Sequence, residues 1–364
     1  MNVFFDCRFI RPGHMDGITR YTEQVFSALS QIRPITALVD SEDQLRGLPP
    51  GSKFLVVNSP TSIRELSLAR RLNKAGASIV YSPMQTTSGL GRRYKLISTV
   101  HDLIYYRRRK PPSFLSLPVR IIWRLYHLSF WPQRLLLGQS DALVTVSEST
   151  KSDIELARLW PNAKPLRISS PAIDSTTFTS EPERAAAGGE VMKTLVYAGS
   201  YMPYKGVETI VEALAHLADY ELHLVSPATQ DDERRLIQLA GNASSRVRFL
   251  GGLNDADYAQ VLRRATAFVS ASRDEGFGIP LIEAMACGTP VVCSDIPVFR
   301  EVTGGSAEFF EPPNSKALAE AVNRLTAERV LSLRASGLQR ASHFNWDASA
   351  RVLSNLIDEL AQEA

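Results

Sequence analysis

Apolar residues in the first half of the chain come in short, compact runs separated by longer stretches that are mostly polar. Residues 2–5, 54–57, 79–81, 96–100 and 142–146 are apolar runs of strand length. Between the first two, after Gly13 and Gly17, residues 21–29 repeat apolar side chains at helical spacing. Strands alternating with helices predict a parallel sheet covered by helices on both faces. In such sheets ligands sit beyond the carboxyl ends of the strands. Residues 179–190 (TSEPERAAAGGE) are small and polar and read as a linker. The rhythm then restarts, with strands at 194–198, 222–225, 247–249, 267–270 and 290–293 and helices at 207–217, 255–264, 280–286, 315–326 and 348–363. The expected architecture is α/β, with two Rossmann-like doubly wound domains over residues 1–178 and 191–347. The last helix, 348–364, is expected to pack back on the first domain, and the site is expected in the cleft where the domains face each other.

Composition narrows the class. A chain of 364 residues with 44% hydrophobic and 22% charged side chains matches an ordinary globular protein of two domains. Cys7, Cys287 and Cys293 lack metal-ligand spacing and suggest a reducing compartment without disulfides. Residues 1–10 read as a strand containing Asp6 and Arg8, not as a secretory signal. No apolar run reaches the about 18 residues of a membrane span. A cytoplasmic location is the expectation, with a peripheral place on the inner face of the cytoplasmic membrane as its extension.

Charge adds an asymmetry that the net +3 hides. Residues 1–178 carry 24 Lys and Arg against 13 Asp and Glu, leaving 17 against 25 for the rest of the totals of 41 and 38. A basic half suits an anionic partner, such as a membrane surface, a phosphorylated lipid or nucleic acid, although an incidental surface bias explains it equally well. The basic run 105–110 leads into residues 113–137, where Trp123, Tyr126, Phe130 and Trp131 interleave with Arg120, Arg124 and Arg134. The expectation taken is an amphipathic helix packed on the sheet; the rival is a helix lying in a membrane interface. No nucleic-acid module accompanies the patch, so nucleic acid is not an expected partner.

The candidate chemistry centres on Glu275-Gly276-Phe277-Gly278-Ile279-Pro280-Leu281-Ile282-Glu283. Pro280 suits the first helical position, so a helix is predicted to start there and to stop at Gly288. A helix N-terminus has unpaired N–H groups that can hold an anion or a sugar oxygen. Glu275 and Glu283 flank that start. Further back, Gly199-Ser200 through Lys205-Gly206 joins a strand to a helix, where a lysine can neutralise phosphate. It lacks the ending of a P-loop, and a plain connection with a solvated lysine explains it as well. Gly17 after the first strand would let a ligand approach the backbone, though a simple turn is the bland account. His101 ends a strand on the ligand side and could donate to a substrate oxygen. Asp102 points the other way along extended chain, so no dyad is implied. Asp255-Ala256-Asp257 reads as the acidic first turn of a helix in preference to a metal site.

Together these segments resemble the retaining glycosyltransferase family 4, of GT-B architecture, in its mannosyltransferase-like group. The resemblance rests on Glu275 and Glu283 with seven residues between them inside EGFGIPLIEAMACGTPVV, and on Tyr197-Ala198-Gly199 through Lys205-Gly206. His101-Asp102, Gly17-Ile18-Thr19-Arg20-Tyr21-Thr22, Asp141–Glu148 and Phe249–Gly251 add to it. It implies that Glu275 contacts the donor sugar and Glu283 the nucleotide ribose. The backbone of Gly276, Phe277, Gly278 and Ile279 would bind sugar hydroxyls, and Ser200 would line the phosphate loop. Lys205 would neutralise the diphosphate, Gly17 would admit it, and His101 would stand beside the transferred sugar. Many members carry arginine where Ser200 stands, and Ser226-Pro227 replaces a family glycine.

The implied activity is retaining transfer of a hexose, mannose favoured, from a nucleotide diphosphate sugar (GDP-mannose favoured) to an acceptor hydroxyl. The acceptor would be a glycan, a lipid-linked glycan or a glycolipid. No cofactor or metal is required by this reading. Two other readings fit the same residues: another GT-B enzyme, such as a sugar-nucleotide epimerase or a phosphorylase, and a non-catalytic module that binds a sugar nucleotide or a membrane.

Overall fold

The computed structural model describes residues 1–13, 16–87, 89–111, 116–180 and 193–362. The chain divides into two compact units, Met1–Pro171 with Trp346–Ala364, and Ala172–Asn345. Each is a parallel sheet flanked by helices, a Rossmann-like α/β unit.

Among the described residues the first unit holds seven parallel strands: β1 (Val3–Asp6), β2 (Thr36–Val39), β3 (Lys53–Val56), β4 (Ile79–Ser82), β5 (Lys95–Val100), β6 (Ala142–Thr145) and β7 (Leu166–Ile168). Their order is β3-β2-β1-β4-β5-β6-β7, and β1 pairs with β2 on one side and β4 on the other. The order therefore reverses between β1 and β4, where the loops that follow those strands diverge and leave a crevice. The helix Gly17–Ile32 begins four residues before the predicted 21–29 because Asp16 caps it, accepting from the Thr19 N–H at 2.8 Å. Its buried stripe, Tyr21, Val25, Phe26 and Leu29, follows the helical period.

The last helix, Trp346–Gln362, belongs to this unit and buries Leu353, Leu356, Ile357 and Leu360. Ion pairs from Arg33 to Asp358 (2.5 Å) and Arg167 to Glu359 (2.8 Å) tie it down.

Among the described residues the second unit has six parallel strands, β8 (Lys193–Tyr197), β9 (Tyr220–Leu224), β10 (Val247–Phe249), β11 (Ala267–Ser270), β12 (Val291–Ser294) and β13 (Glu308–Phe310), in the order β10-β9-β8-β11-β12-β13. Here the reversal lies between β8 and β11. The unit begins earlier than residue 191. Phe178 is buried and meets Tyr258 edge-on at 5.8 Å, and the Arg263 guanidinium donates to the Thr179 carbonyl, so 172–180 packs on the helix Asp255–Arg264. The expected linker lies outside the described residues from 181 onward.

Several elements were not anticipated. β2, β7 and β13 lie outside the runs read as strands. The helices Gln230–Ala240, Pro297–Thr303 and Ala327–Ala341 are also additional. The last of these starts where the expected helix 315–326 was to end. That helix closes at Asn323, and Thr326 caps its successor by accepting from the Arg329 N–H.

The largest correction concerns residues 113–137. Residues 113–115 lie outside the described set, and the rest form the helices Leu117–Tyr126 and Trp131–Gly138. No residue of Leu117–Tyr126 is buried, so this helix is not packed on the sheet as expected.

Candidate active site

In the second unit the two loops at the sheet reversal carry the candidate chemistry. After β8 the chain passes Gly199 and Ser200, makes one tight helical turn over Pro203–Lys205, and enters the helix Val207–Ala213 through Gly206. Gly206 is left-handed (φ 66°), and a Cβ there would stand 2.2 Å from the Ala271 carbonyl oxygen. Only glycine fits, and its bare backbone lets the phosphate-type loop lie directly on the end of β11. The Arg273 N–H then donates to the Tyr204 carbonyl at 2.8 Å, joining the two loops. On the other side the Tyr197 hydroxyl donates to the Ser200 carbonyl (2.7 Å), and the Gly199 N–H donates to Ser226 Oγ (2.8 Å). Ser226 thus holds the loop from the position where the family glycine was missed. The Ser200 side chain itself is exposed.

This junction brings Lys205 and Glu275 together. Lys205 Nζ donates to both carboxylate oxygens, at 2.7 and 2.9 Å, with only 20% and 12% of the two side chains exposed. Ser272 Oγ donates to Glu275 Oε1 at 2.7 Å. The two residues assigned to separate parts of a donor thus meet each other, which spacing along the chain could not reveal. Ser272 is a site neighbour that sequence reasoning missed, and nothing in the pattern marks it.

The helix after Glu275 is Ile279–Ala286, one residue longer than predicted, with Pro280 second instead of first. Gly278 precedes it in the left-handed region (φ 104°), where a Cβ would press on the Phe299 ring at 2.9 Å. Phe277 is buried edge-on to Phe344 at 5.5 Å, so its side chain anchors the turn and leaves Gly276, Gly278 and Ile279 to present backbone. The helix start carries partial positive charge. Glu283 is 2% exposed, on a helix otherwise buried through apolar residues.

The first unit assembles a second constellation at its own reversal. Gly17 opens the helix Gly17–Ile32 with open space where a Cβ would stand, so the fold does not require glycine there and the helix start is left uncovered. One turn on, the Tyr21 ring meets the His101 ring edge-on at 5.0 Å. His101 follows β5, and its Nε2 lies 2.7 Å from the Pro83 carbonyl oxygen, at the end of β4. A carbonyl only accepts, so Nε2 carries the proton and Nδ1 is left as an acceptor. Burial lowers the His101 pKa, only partly opposed by the Pro83 hydrogen bond, so the ring is held neutral. His101 is therefore arranged to accept from a hydroxyl, not to donate as expected. Asp102 accepts from the Ile104 N–H at 2.9 Å, at the start of the next helical turn.

Beneath this constellation the Arg8 guanidinium is clamped by Asp6 at 2.8 and 2.7 Å and by Glu65 at 2.6 and 3.1 Å. Burial opposes the charge on Arg8, yet the two carboxylates hold it protonated all the more firmly. This network fixes the exit of β1, and sequence reasoning did not use it. At 255–257, Asn254 caps the helix by accepting from the Asp257 N–H at 2.9 Å, so the acidic pair is a helix start. Among the described residues no group of three or more His, Cys, Asp or Glu could hold a metal ion. All three cysteines are buried and free.

Comparison with known proteins places these features. Residues 183–341 match the family model for glycosyl transferases group 1. The chain is 34% identical over 179 residues to the phosphatidyl-myo-inositol mannosyltransferase of Mycobacterium leprae, covering 46% of this chain and 47% of that protein. The match thus spans about half the length of that relative. The O-antigen chain mannosyltransferase RfbU of Salmonella typhimurium is 26% identical over 326 residues, covering 85% of this chain and 87% of the relative. Among solved structures, the sucrose-phosphate synthase of Thermosynechococcus elongatus superposes with a TM-score of 0.78 at 19% identity, over all of both chains.

Proposed function

We propose that this chain, which belongs to the group 1 glycosyl transferases in their mannosyltransferase-like group, moves a hexose with retention from a nucleotide diphosphate sugar to an acceptor hydroxyl. Mannose is the favoured sugar and GDP-mannose the favoured donor. The acceptor class is a glycan, a lipid-linked glycan or a glycolipid, met at the inner face of the cytoplasmic membrane. The mannosyltransferase names of the relatives favour this over an epimerase, a phosphorylase or a non-catalytic binder.

The observation that carries the proposal is the Lys205–Glu275 pair, largely sheltered at the sheet reversal. A leaving diphosphate develops negative charge, and a preorganised cation lowers the barrier most when it costs no rearrangement. Before donor binds, Glu275 holds the Lys205 ammonium in place and is itself held by Ser272. Donor phosphate would draw it over, freeing the Glu275 carboxylate to accept from a sugar hydroxyl. Gly276, Gly278 and Ile279 would supply backbone groups to the sugar, and Glu283 would meet the ribose. In the first unit, Gly17 would admit the diphosphate and Nδ1 of His101 would accept from a hydroxyl of the transferred sugar. No step uses a metal or another cofactor.

The test is transfer to added acceptors, followed by mass spectrometry, across a panel of nucleotide sugars. Product from GDP-mannose with the α-anomer retained is expected. Isomerised donor without product, or phosphorolysis, would replace this reading with one of the rivals. Thermal shift with the same panel reports binding alone, since a ligand that binds only folded protein raises apparent stability.

A further inference from the structure

The helix Leu117–Tyr126 carries an apolar face that its own unit leaves open. At 100° per residue, Leu117, Pro118, Ile121, Ile122 and Leu125 fall within one arc of roughly 140°. Leu117 is 68% exposed, Ile122 67%, Leu125 61% and Ile121 55%. The opposite side holds the helix in place: Trp123 meets Tyr105 edge-on at 4.9 Å, and the Tyr126 hydroxyl donates to Gln133 Oε1 at 2.7 Å. The apolar arc is thus presented outward by specific contacts. Arg120 and Arg124, one turn apart, border it on one edge.

The charge around this face has a single sign. Between Asp102 and Asp141 the chain holds seven Lys and Arg and no Asp or Glu. Among the described residues, Arg107 is the one of the seven paired with a carboxylate, Asp153 at 2.6 Å. We infer that this face docks on an anionic lipid bilayer. The apolar arc would enter the boundary between headgroups and acyl chains, while Arg120 and Arg124 stay at the phosphates with their stems along the apolar surface. A second copy of the chain is a poor occupant, because it would set the same cationic edges against each other. The inference deepens the peripheral placement proposed above, but it concerns binding alone and is decided without any sugar transfer.

Flotation of the full chain with phosphatidylcholine vesicles, with and without phosphatidylglycerol, tests it. Partition to the anionic vesicles is expected to exceed that to the zwitterionic ones by about tenfold or more at low salt, and to fall as salt rises. Ile122→Glu with Leu125→Glu, and separately Arg120→Gln with Arg124→Gln, should each lower that partition by about tenfold. The arginine pair keeps the test decisive should the glutamate pair disturb folding. Equal binding to both vesicles, unchanged binding in both variants, or a wild-type dimer that the glutamate pair dissolves in sedimentation would overturn the inference. If vesicles bind but no donor is turned over, the docking face stands and the transfer reading falls.

Discussion

Two helices of similar length, Ile279–Ala286 and Leu117–Tyr126, are both rich in apolar residues and meet opposite fates. In the first, six of eight residues are buried; in the second, none is. The first is apolar all round apart from Glu283 and is wrapped by its unit, so its backbone start is held rigidly where the Gly276–Gly278 turn meets Glu275. The second is apolar across one arc only, with arginines at the edge, and its unit grips it from the back. Apolar content alone therefore does not distinguish a helix that positions a site from one that faces outward. The angular distribution of the polar residues does.

The sharpest way to break this comparison is paired truncation. Ile282 is fully buried, so Ile282→Ala should cost about 2–5 kcal/mol in urea unfolding. A cost near zero would mean that the helix is not wrapped as described. Next, Lys205→Ala should lower kcat/KM by about a hundredfold or more, beyond any loss of stability, because Ser272 still donates to the Glu275 carboxylate left behind. Near-normal turnover would remove Lys205 from the chemistry.

Gly206→Ala should destabilise by about 1–3 kcal/mol, since the left-handed backbone and the contact with Ala271 both forbid a Cβ. Thermal unfolding would reveal an unexpected tolerance. A smaller effect should follow pH. The His101 pKa is lowered from 6.5 in the folded chain, so below about 6.5 the unfolded chain binds a proton that the folded one refuses. Stability is complete above that pH and falls as pH drops towards the lowered value. His127, also lowered by burial, adds in the same direction. The fall should be shallower in His101→Gln, measured by urea midpoints across that window. Smallest of all, Ile122→Ala should change stability by no more than about 0.5 kcal/mol, the counterpart that keeps the contrast with Ile282.

Much of the fold was legible because strand and helix periods are local. The apolar runs at 79–81, 96–100, 142–146 and 267–270 sit within or beside observed strands. β7 and β13 were missed because Arg167 and Glu308 interrupt their apolar residues and no longer apolar run continues them. In the site, the positions of Lys205, Glu275 and Glu283 on a loop, a turn and a helix follow from turn residues such as Gly206 and Pro280. The tautomer of His101 was not legible, because it depends on Pro83 at the end of the neighbouring strand, and the role of Ser272 was not, because a contact within one irregular loop leaves no periodic signal.

What the chain determined by itself was the alternation of elements, the glycines that permit left-handed turns, and the one-signed charge from 103 to 140. Each is a property of residues adjacent in sequence, where sterics and periodicity act directly. Tertiary structure alone decided that β8 and β11 lie side by side, and therefore that Lys205 and Glu275, seventy positions apart, share a salt bridge. It also decided that Leu117–Tyr126 stays uncovered while Ile279–Ala286 does not. Those outcomes depend on which faces find a neighbour once the strand order reverses, and no local pattern contains that information.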